Sequence, residues 1–230
     1  RARARWLWPG ARAALGDKAQ IDWSQGHLDE AARVLDSLPV EGEDPGVANM
    51  RSAIRLFQRR YDAVIAELQP LLARSDTTLN GWRPQLAITL GDAQRLAGHA
   101  AQARETFQRL AAQIEPNAGK MDDTVQPMML ALAWAHLGKS KQALEQAQRA
   151  VALYRGDAIY RPDAESVLAQ VQVMTGDHQA AIAGLAHLLQ VPGSTTRALL
   201  RRDPAWDPLR KDPAFQALLQ QTTQTNAHGE

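Results

Sequence analysis

One short phrase recurs five times along this 230-residue chain, and it restricts the possible folds more than any other feature. Each copy has a turn residue, a small or β-branched residue five positions later, and an apolar residue four positions further on. The copies are "QGHLDEAARVLDSL" at 25–38, "RRYDAVIAELQPLL" at 59–72, "AGHAAQARETFQRL" at 97–110, "LGKSKQALEQAQRAV" at 137–151 and "TGDHQAAIAGLAHLL" at 175–189. Such a recurrence predicts an array of similar units, each packed on its neighbours.

The unit itself is helical. Apolar residues recur at three- and four-residue spacing, and runs rich in Val, Ile, Thr and Tyr are nearly absent, which favours an all-α fold. The turn residue is glycine in four copies, because glycine tolerates a positive φ in a tight connection. The five turn residues are Gly26, Arg59, Gly98, Gly138 and Gly176. Breaks between helices are predicted at 38–46, 73–81, 115–123, 154–163 and 191–196.

The third and fourth copies resemble the tetratricopeptide repeat. The third has Leu90-Gly91 on its first helix, Ala103 and Phe107 on its second, and Pro116 after it. In the fourth, Trp134 stands in the place of the usual Tyr. The resemblance implies a right-handed α-solenoid of about five helix pairs over residues 1–192.

The solenoid is expected to end in a capping segment over residues 193–221, followed by a disordered tail at 222–230. Three Asp-Pro pairs stand there, at Asp203, Asp207 and Asp212. Aspartate is a good helix N-cap and proline suits the first helical position, so each pair predicts a helix start. The apolar residues between them are expected to cover the fifth repeat, which would leave this segment no part in binding. They are Leu199, Leu200, Trp206, Leu209, Phe215 and Leu218.

The stretch "LLQVPGSTTRALLRRDPAWDPLRKDPAFQALL" also resembles the end of the repeat region in multidomain bacterial signalling proteins. This resemblance implies a sensor or regulatory arm that binds a protein or peptide. The first choice of effector is a serine/threonine kinase, with the repeats on the periplasmic side of the inner membrane. A nucleotide cyclase or a winged-helix transcription regulator, and a scaffold without an effector, remain alternatives. Homodimerisation is left open.

Composition excludes several other classes of function. The net charge is +1, so a nucleic-acid partner is not expected. There is no cysteine, which excludes disulfides and thiolate chemistry. The longest apolar stretch, Met128 to Leu137, is about half the length of a membrane span, so no membrane insertion is expected. The first residue is not Met, and we interpret the chain as part of a longer protein.

No motif for catalysis is present. Phosphate-binding glycine loops, G-x-S-x-G and H-E-x-x-H are all missing, and the chain is not expected to be an enzyme or to hold a cofactor or metal. The pair Asp122-Asp123 is interpreted as loop surface or helix cap rather than an acid–base pair. The six histidines contain no i, i+4 pair. The arginine-rich start (Arg1, Arg3, Arg5 and Arg12, with Trp6 and Trp8) could bind an acidic membrane surface or nucleic acid, but the truncated second helix of an earlier repeat is the preferred interpretation.

The concave groove is the remaining candidate site. In the family that the chain resembles, the first helix of each repeat lines this surface, where Met and Leu would suit an apolar segment of a partner. The alternative is that many of these residues pack between repeats. The candidates are Asn49, Ala53, Ile88, Asp92, Arg95, Met128, Met129, Leu132, His136, Ser166 and Gln170. Lys is absent from the places that clamp a peptide carboxylate in chaperone-binding repeats, so such a clamp is not expected.

Overall fold

The computed structural model describes residues 9–38, 44–75, 79, 81–117, 125–193 and 195–220. In the first helix, side chains are described from residue 14 onward. These residues form helices, turns and loops, and no strand. The α-helices are α1 (Pro9–Ser24), α2 (Leu28–Asp36), α3 (Pro45–Phe57), α4 (Tyr61–Ala73), α5 (Arg83–Leu96), α6 (Ala100–Ile114), α7 (Gln126–His136), α8 (Ser140–Leu153), α9 (Tyr160–Thr175), α10 (His178–Leu188), α11 (Arg197–Leu200) and α12 (Pro213–Gln220). Two 3₁₀ helices, Glu115–Asn117 and Pro204–Leu209, complete the described structure.

The predicted all-α solenoid is confirmed. Consecutive helices pack in pairs, from α1 with α2 to α9 with α10, and each pair also contacts the next. Three of the sequence predictions lie outside the described residues. They concern the side chains of the arginine-rich start, the pair Asp122-Asp123 and the tail at 222–230.

The turn inside each pair has one geometry. Its central residue has a positive φ, between 63° at Arg59 and 89° at Gly176. The N–H of the residue that follows donates to the carbonyl five positions before it, as in His99 to Gln94 at 2.8 Å and Asp177 to Gln172 at 2.8 Å. These bonds satisfy carbonyls at the end of the first helix and reverse the chain direction.

Close packing of the two helices explains the recurring residues. Ala31, Val64, Ala103, Ala143 and Ala181 are all buried. In the third pair, a Cβ on Gly91 would stand 2.5 Å from two atoms of the Phe107 ring. The Leu-Gly and Phe elements of the repeat motif are therefore physically coupled, because glycine makes the space that the ring fills.

In the second repeat, Arg51 stands in the place of Leu90 and forms ion pairs instead of apolar contacts. Arg51, which is 3% exposed, donates to the carbonyl of Leu35 at 2.9 Å and pairs with Glu67 at 3.3 Å. Arg55 pairs with the same Glu67 and with Asp36 at 2.9 Å. A buried arginine is tolerated only when carboxylates and carbonyls replace its water, so this network explains why the motif is degenerate here.

The solenoid is strongly curved. First helices of neighbouring pairs pack on one another more extensively than second helices do, so each pair acts as a wedge that is narrow on the first-helix side. The curvature brings both ends of the array to the residues after α10. We call residues 195–220 the C-terminal segment.

The C-terminal segment contacts the two ends in different ways. Against α9 and α10 it forms one apolar cluster, in which Trp206 is 2% and Phe215 0% exposed. Against the first two repeats it makes polar contacts. Thr196 Oγ1 donates to the carbonyl of Ser24 at 2.7 Å, and Arg59 forms two bonds to the Asp207 carboxylate at 2.6 and 2.7 Å.

The three Asp-Pro pairs do not act alike. Asp203 and Asp212 cap helices, each accepting a backbone N–H two residues later at 2.8 Å. Asp207-Pro208 instead lies inside the 3₁₀ helix Pro204–Leu209, and its carboxylate reaches across to Arg59. The expectation of three helix starts was thus wrong at the middle pair, because a long-range ion pair uses that carboxylate.

No helix in the described ranges is both long and apolar enough to cross a membrane.

Candidate functional site

A cavity of about 380 Å³ lies at the centre of the curved array. All five first helices contribute to its wall, as does the C-terminal segment, whereas no second helix lines it. The lining residues are Trp23, Ala53, Leu56, Phe57, Gln85, Ile88, Thr89, Asp92, Arg95, Leu96, Val125, Met128, Met129, Leu132, Tyr160, Asp163, Ser166, Val167, Gln170, Thr195, Leu199, Leu200, Asp203, Pro204, Ala205 and Trp206. The first-helix surface that the sequence predicted as a groove thus lines a cavity to which the C-terminal segment adds one wall.

Nine of the eleven candidate residues lie on this wall. They are Ala53, Ile88, Asp92, Arg95, Met128, Met129, Leu132, Ser166 and Gln170. They divide by exposure. Ile88 and the α7 residues among them are buried and form the apolar wall, whereas Asp92, Arg95, Ser166 and Gln170 keep accessible surface.

The other two candidates lie elsewhere. Asn49 is on α3 outside the cavity, and its buried Oδ1 accepts no hydrogen bond. The His136 ring stacks on Phe107 of α6, with centroids 4.2 Å apart and planes 8° apart. Its Nε2 is 3.3 Å from Asp92 Oδ1.

His136 supports the wall from behind. Burial lowers the pKa of His136 and outweighs the opposing effect of Asp92, so the imidazole is neutral at pH 7. Arg95 Nη2 is also bonded to Asp92 Oδ1, at 3.1 Å. Asp92 is therefore held by groups on α5 and α7, and its negative charge is balanced by Arg95.

Sequence reasoning missed the contribution of the C-terminal segment. Thr195, Leu199 and Asp203 line the cavity, although we expected this segment to take no part in the site. The closure depends on the summed curvature of five repeats, and no local pattern signals it.

Asp203 is the most unusual group on the wall. Its Oδ1 accepts the N–H of Ala205 at 2.8 Å, and the residue keeps partial exposure. Burial, with a smaller contribution from the charge of Asp92, raises the pKa of Asp203 to about 7. The arginines nearby only partly oppose this: Arg210 donates to the backbone carbonyls of Leu200 and Asp203, and Arg59 binds Asp207.

A second cleft of about 490 Å³ lies between α4 and α6, with α5 as its floor. Glutamines dominate its polar lining, and its charged pair Glu105–Arg109 is internally neutralised. Nothing in the sequence patterns singled out this cleft.

In the portion of the chain that the structure describes, no group of three or more His, Cys, Asp or Glu side chains is placed to hold a metal ion.

Comparisons with known proteins concern the fold. No family model and no curated protein matches the chain. Among solved structures, TTC0263, a thermophilic TPR protein of Thermus thermophilus, is 18% identical, with a TM-score of 0.52 over 79% of this chain and 91% of that one. A MamA RS-1 ArsTM double mutant is 16% identical, with a TM-score of 0.39 over 78% and 93% of the two chains. The TPR2AB domain of yeast Sti1 in complex with pHSP90 is 13% identical, with a TM-score of 0.38 over 93% and 100%. The match to TTC0263, together with the helix pairs, shows that this chain has the tetratricopeptide-repeat fold.

Proposed function

We propose that this chain binds a segment of a partner protein in its central cavity. The observation that supports this is the convergence of all five first helices on one concave wall, where accessible polar side chains alternate with an apolar floor. Such a wall offers shape and apolar area from Met128 and Leu132, and hydrogen bonds from Ser166 and Gln170 to orient a chain.

Peptides selected from a random library against the chain provide the test. Ser166→Trp and Gln170→Trp enlarge accessible wall residues, so they fill the cavity without removing core contacts. Gln142→Trp, on the exposed face of α8, is the matched control. We expect at least a tenfold loss of affinity in the first two variants and no change in the control. Equal affinity in all three would contradict the proposal.

We further propose that the chain is the regulatory arm of a bacterial signalling protein, with a serine/threonine kinase as the first choice of effector and a periplasmic location. The support is the resemblance of the C-terminal segment and of the repeat before it. Partner binding would shift the population of domain arrangements or dimers upstream. The gene sequence before Arg1 tests this. A membrane span preceded by a kinase domain is expected, and further repeats alone would instead favour a scaffold.

A further inference from the structure

We propose that the cavity recognises a cationic group, an ammonium or a guanidinium, carried on an apolar stem. This inference rests on the proposed function and specifies the chemistry of the bound segment. Its basis is a carboxylate, Asp203, on the wall of a half-open and largely apolar cavity. Two kinds of molecule carry such a group: a partner protein, in a lysine or arginine side chain, and a free alkylamine.

The charges that face the cavity support a cation. On α5, Asp92 and Arg95 neutralise one another. α9 contributes Asp163 and the C-terminal segment contributes Asp203, while α1, α3 and α7 contribute no charged side chain to the wall. His136, behind α7, is neutral. With the Asp92–Arg95 pair internally neutralised, Asp203 adds a negative charge to the wall when it is ionised, which would repel an anionic ligand.

Asp203 has capacity for a further partner. One oxygen accepts the backbone N–H of Ala205, and within the described residues no side-chain cation bonds this carboxylate. Arg59 and Arg210, the nearest cations, are bonded to Asp207 and to backbone carbonyls. Burial raises the pKa of Asp203, and the charges of Arg59 and Arg210 offset this only in part. An incoming ammonium or guanidinium would supply a charge-assisted bond at that oxygen.

The rest of the wall fits an apolar stem. Met128, Leu132 and Leu199 contribute aliphatic atoms to the wall, and the partly exposed Trp23 adds an aromatic ring of the kind that attracts cations. The cavity volume of about 380 Å³ is in the range of sites that hold small ligands or a few side chains.

Three probes of equal length and different charge test the proposal: hexylammonium, 1-hexanol and hexanoate. Calorimetric titration of the whole chain at pH 7 should show hexylammonium binding at least tenfold more tightly than hexanol, and hexanoate binding most weakly. A second arm compares acetyl-Leu-Lys-Leu-amide with its norleucine analogue. Preference for the lysine peptide over hexylammonium identifies a partner side chain as the source, and the reverse identifies a free amine.

The chain contains a matched pair of aspartates for the control. Asp203 and Asp212 both precede proline and cap a helix through an N–H bond of 2.8 Å, but only Asp203 lines the cavity. Asparagine also caps helices, so neither Asp→Asn change should prevent folding. We expect Asp203→Asn to weaken hexylammonium binding at least tenfold and Asp212→Asn to leave it unchanged.

Wild-type protein supplies an independent measurement. A cation bound to Asp203 lowers the pKa of that carboxyl, so binding at pH 7 should release a fraction of a proton, seen as a buffer-dependent binding enthalpy. Equal binding of hexylammonium and hexanol, or of the lysine and norleucine peptides, would overturn the cation proposal and leave peptide binding in the cavity intact. Failure of the cavity-filling tryptophans to weaken selected peptides would instead overturn the proposed function itself.

Discussion

The C-terminal segment meets the last repeat and the first two repeats through opposite kinds of contact. With α9 and α10 it shares a dry apolar cluster around Trp206 and Phe215. With the early repeats it shares one hydroxyl–carbonyl bond and a half-exposed ion pair, Arg59–Asp207. Apolar burial stabilises far more than a surface ion pair does. The segment is therefore firmly part of the last repeat and weakly attached to the first ones.

The largest effect on stability is expected at the apolar contact between the C-terminal segment and helices α9 and α10. Trp206→Ala would remove a side chain that is 2% exposed and leave a cavity among Leu185, Leu200 and Phe215. We expect the free energy of unfolding, measured by urea denaturation, to fall by about 3–5 kcal/mol. Ile159→Ala, at a residue that is 76% exposed, should change it by less than about 0.5 kcal/mol. A loss at Trp206 as small as that control would show that the cluster does not anchor the segment.

The sequence predicted the repeats because their packing is local. Gly91 and Phe107 lie on α5 and α6, which form one helix pair. Their close approach therefore requires only that this pair forms. The recurring turn residues are likewise explained by bonds within six residues. The second repeat was harder to recognise, because Arg51 replaces the motif residue and depends on Glu67 of the next helix.

Nine of the eleven residues chosen from the sequence line one cavity, but the shape of that cavity was not predicted. Helix α7 is apolar on all sides, and Met128 to Ala133 are all buried, so periodicity alone could not separate wall from core. The position of His136 depends on Phe107, a residue of another helix. The wall contributed by Asp203 depends on the closure of the whole array, which no short pattern encodes.

Asp203 lies between the two contacts of the C-terminal segment, where it caps the 3₁₀ helix that holds Trp206 and Asp207 and also lines the cavity. Its pKa is raised from 3.8 to about 7, so the folded state holds this proton more tightly than the unfolded state does. The stabilisation is complete below about pH 4 and is lost as pH rises towards 7. Asp203→Asn keeps a neutral capping acceptor. It should therefore be more stable than wild type at pH 8, by roughly 1–3 kcal/mol after allowing for exposure to the cavity.

Urea denaturation at pH 4 and pH 8 measures this difference. Asp212→Asn, at a capping aspartate of the same type, should show no such gain at pH 8. If the stability of Asp203→Asn depended on pH in the same way as that of wild type, the raised pKa would not belong to the Asp203 carboxyl.

Two turn glycines test the contact between the C-terminal segment and the first repeat. Gly26 and Gly98 have φ of 81° and 87°, so alanine at either position costs about 1 kcal/mol of backbone strain. A Cβ at Gly26 would also stand 3.1 Å from the Ala198 Cβ, whereas one at Gly98 meets no atom within 4 Å. We expect Gly26→Ala to cost up to about 1 kcal/mol more than Gly98→Ala. Faster hydrogen exchange at 196–200 in Gly26→Ala alone would show that the contact opens; equal exchange would show that it does not depend on this fit.

The smallest effect is expected at the Arg59–Asp207 ion pair. The two side chains are 39% and 41% exposed, and solvent screens most of their attraction. Burial acts to raise the pKa of Asp207, but the bonds from Arg59 outweigh it and lower that pKa, so the pair persists until the pH falls below the ordinary range of aspartate. A double-mutant cycle with Arg59→Ala and Asp207→Ala should give a coupling of about 0.3–1 kcal/mol that disappears in 1 M salt. A coupling of several kcal/mol that survives salt would mean that the early repeats hold the C-terminal segment as firmly as the last repeat does. The contrast between the two contacts would then be lost, because both would resist opening equally.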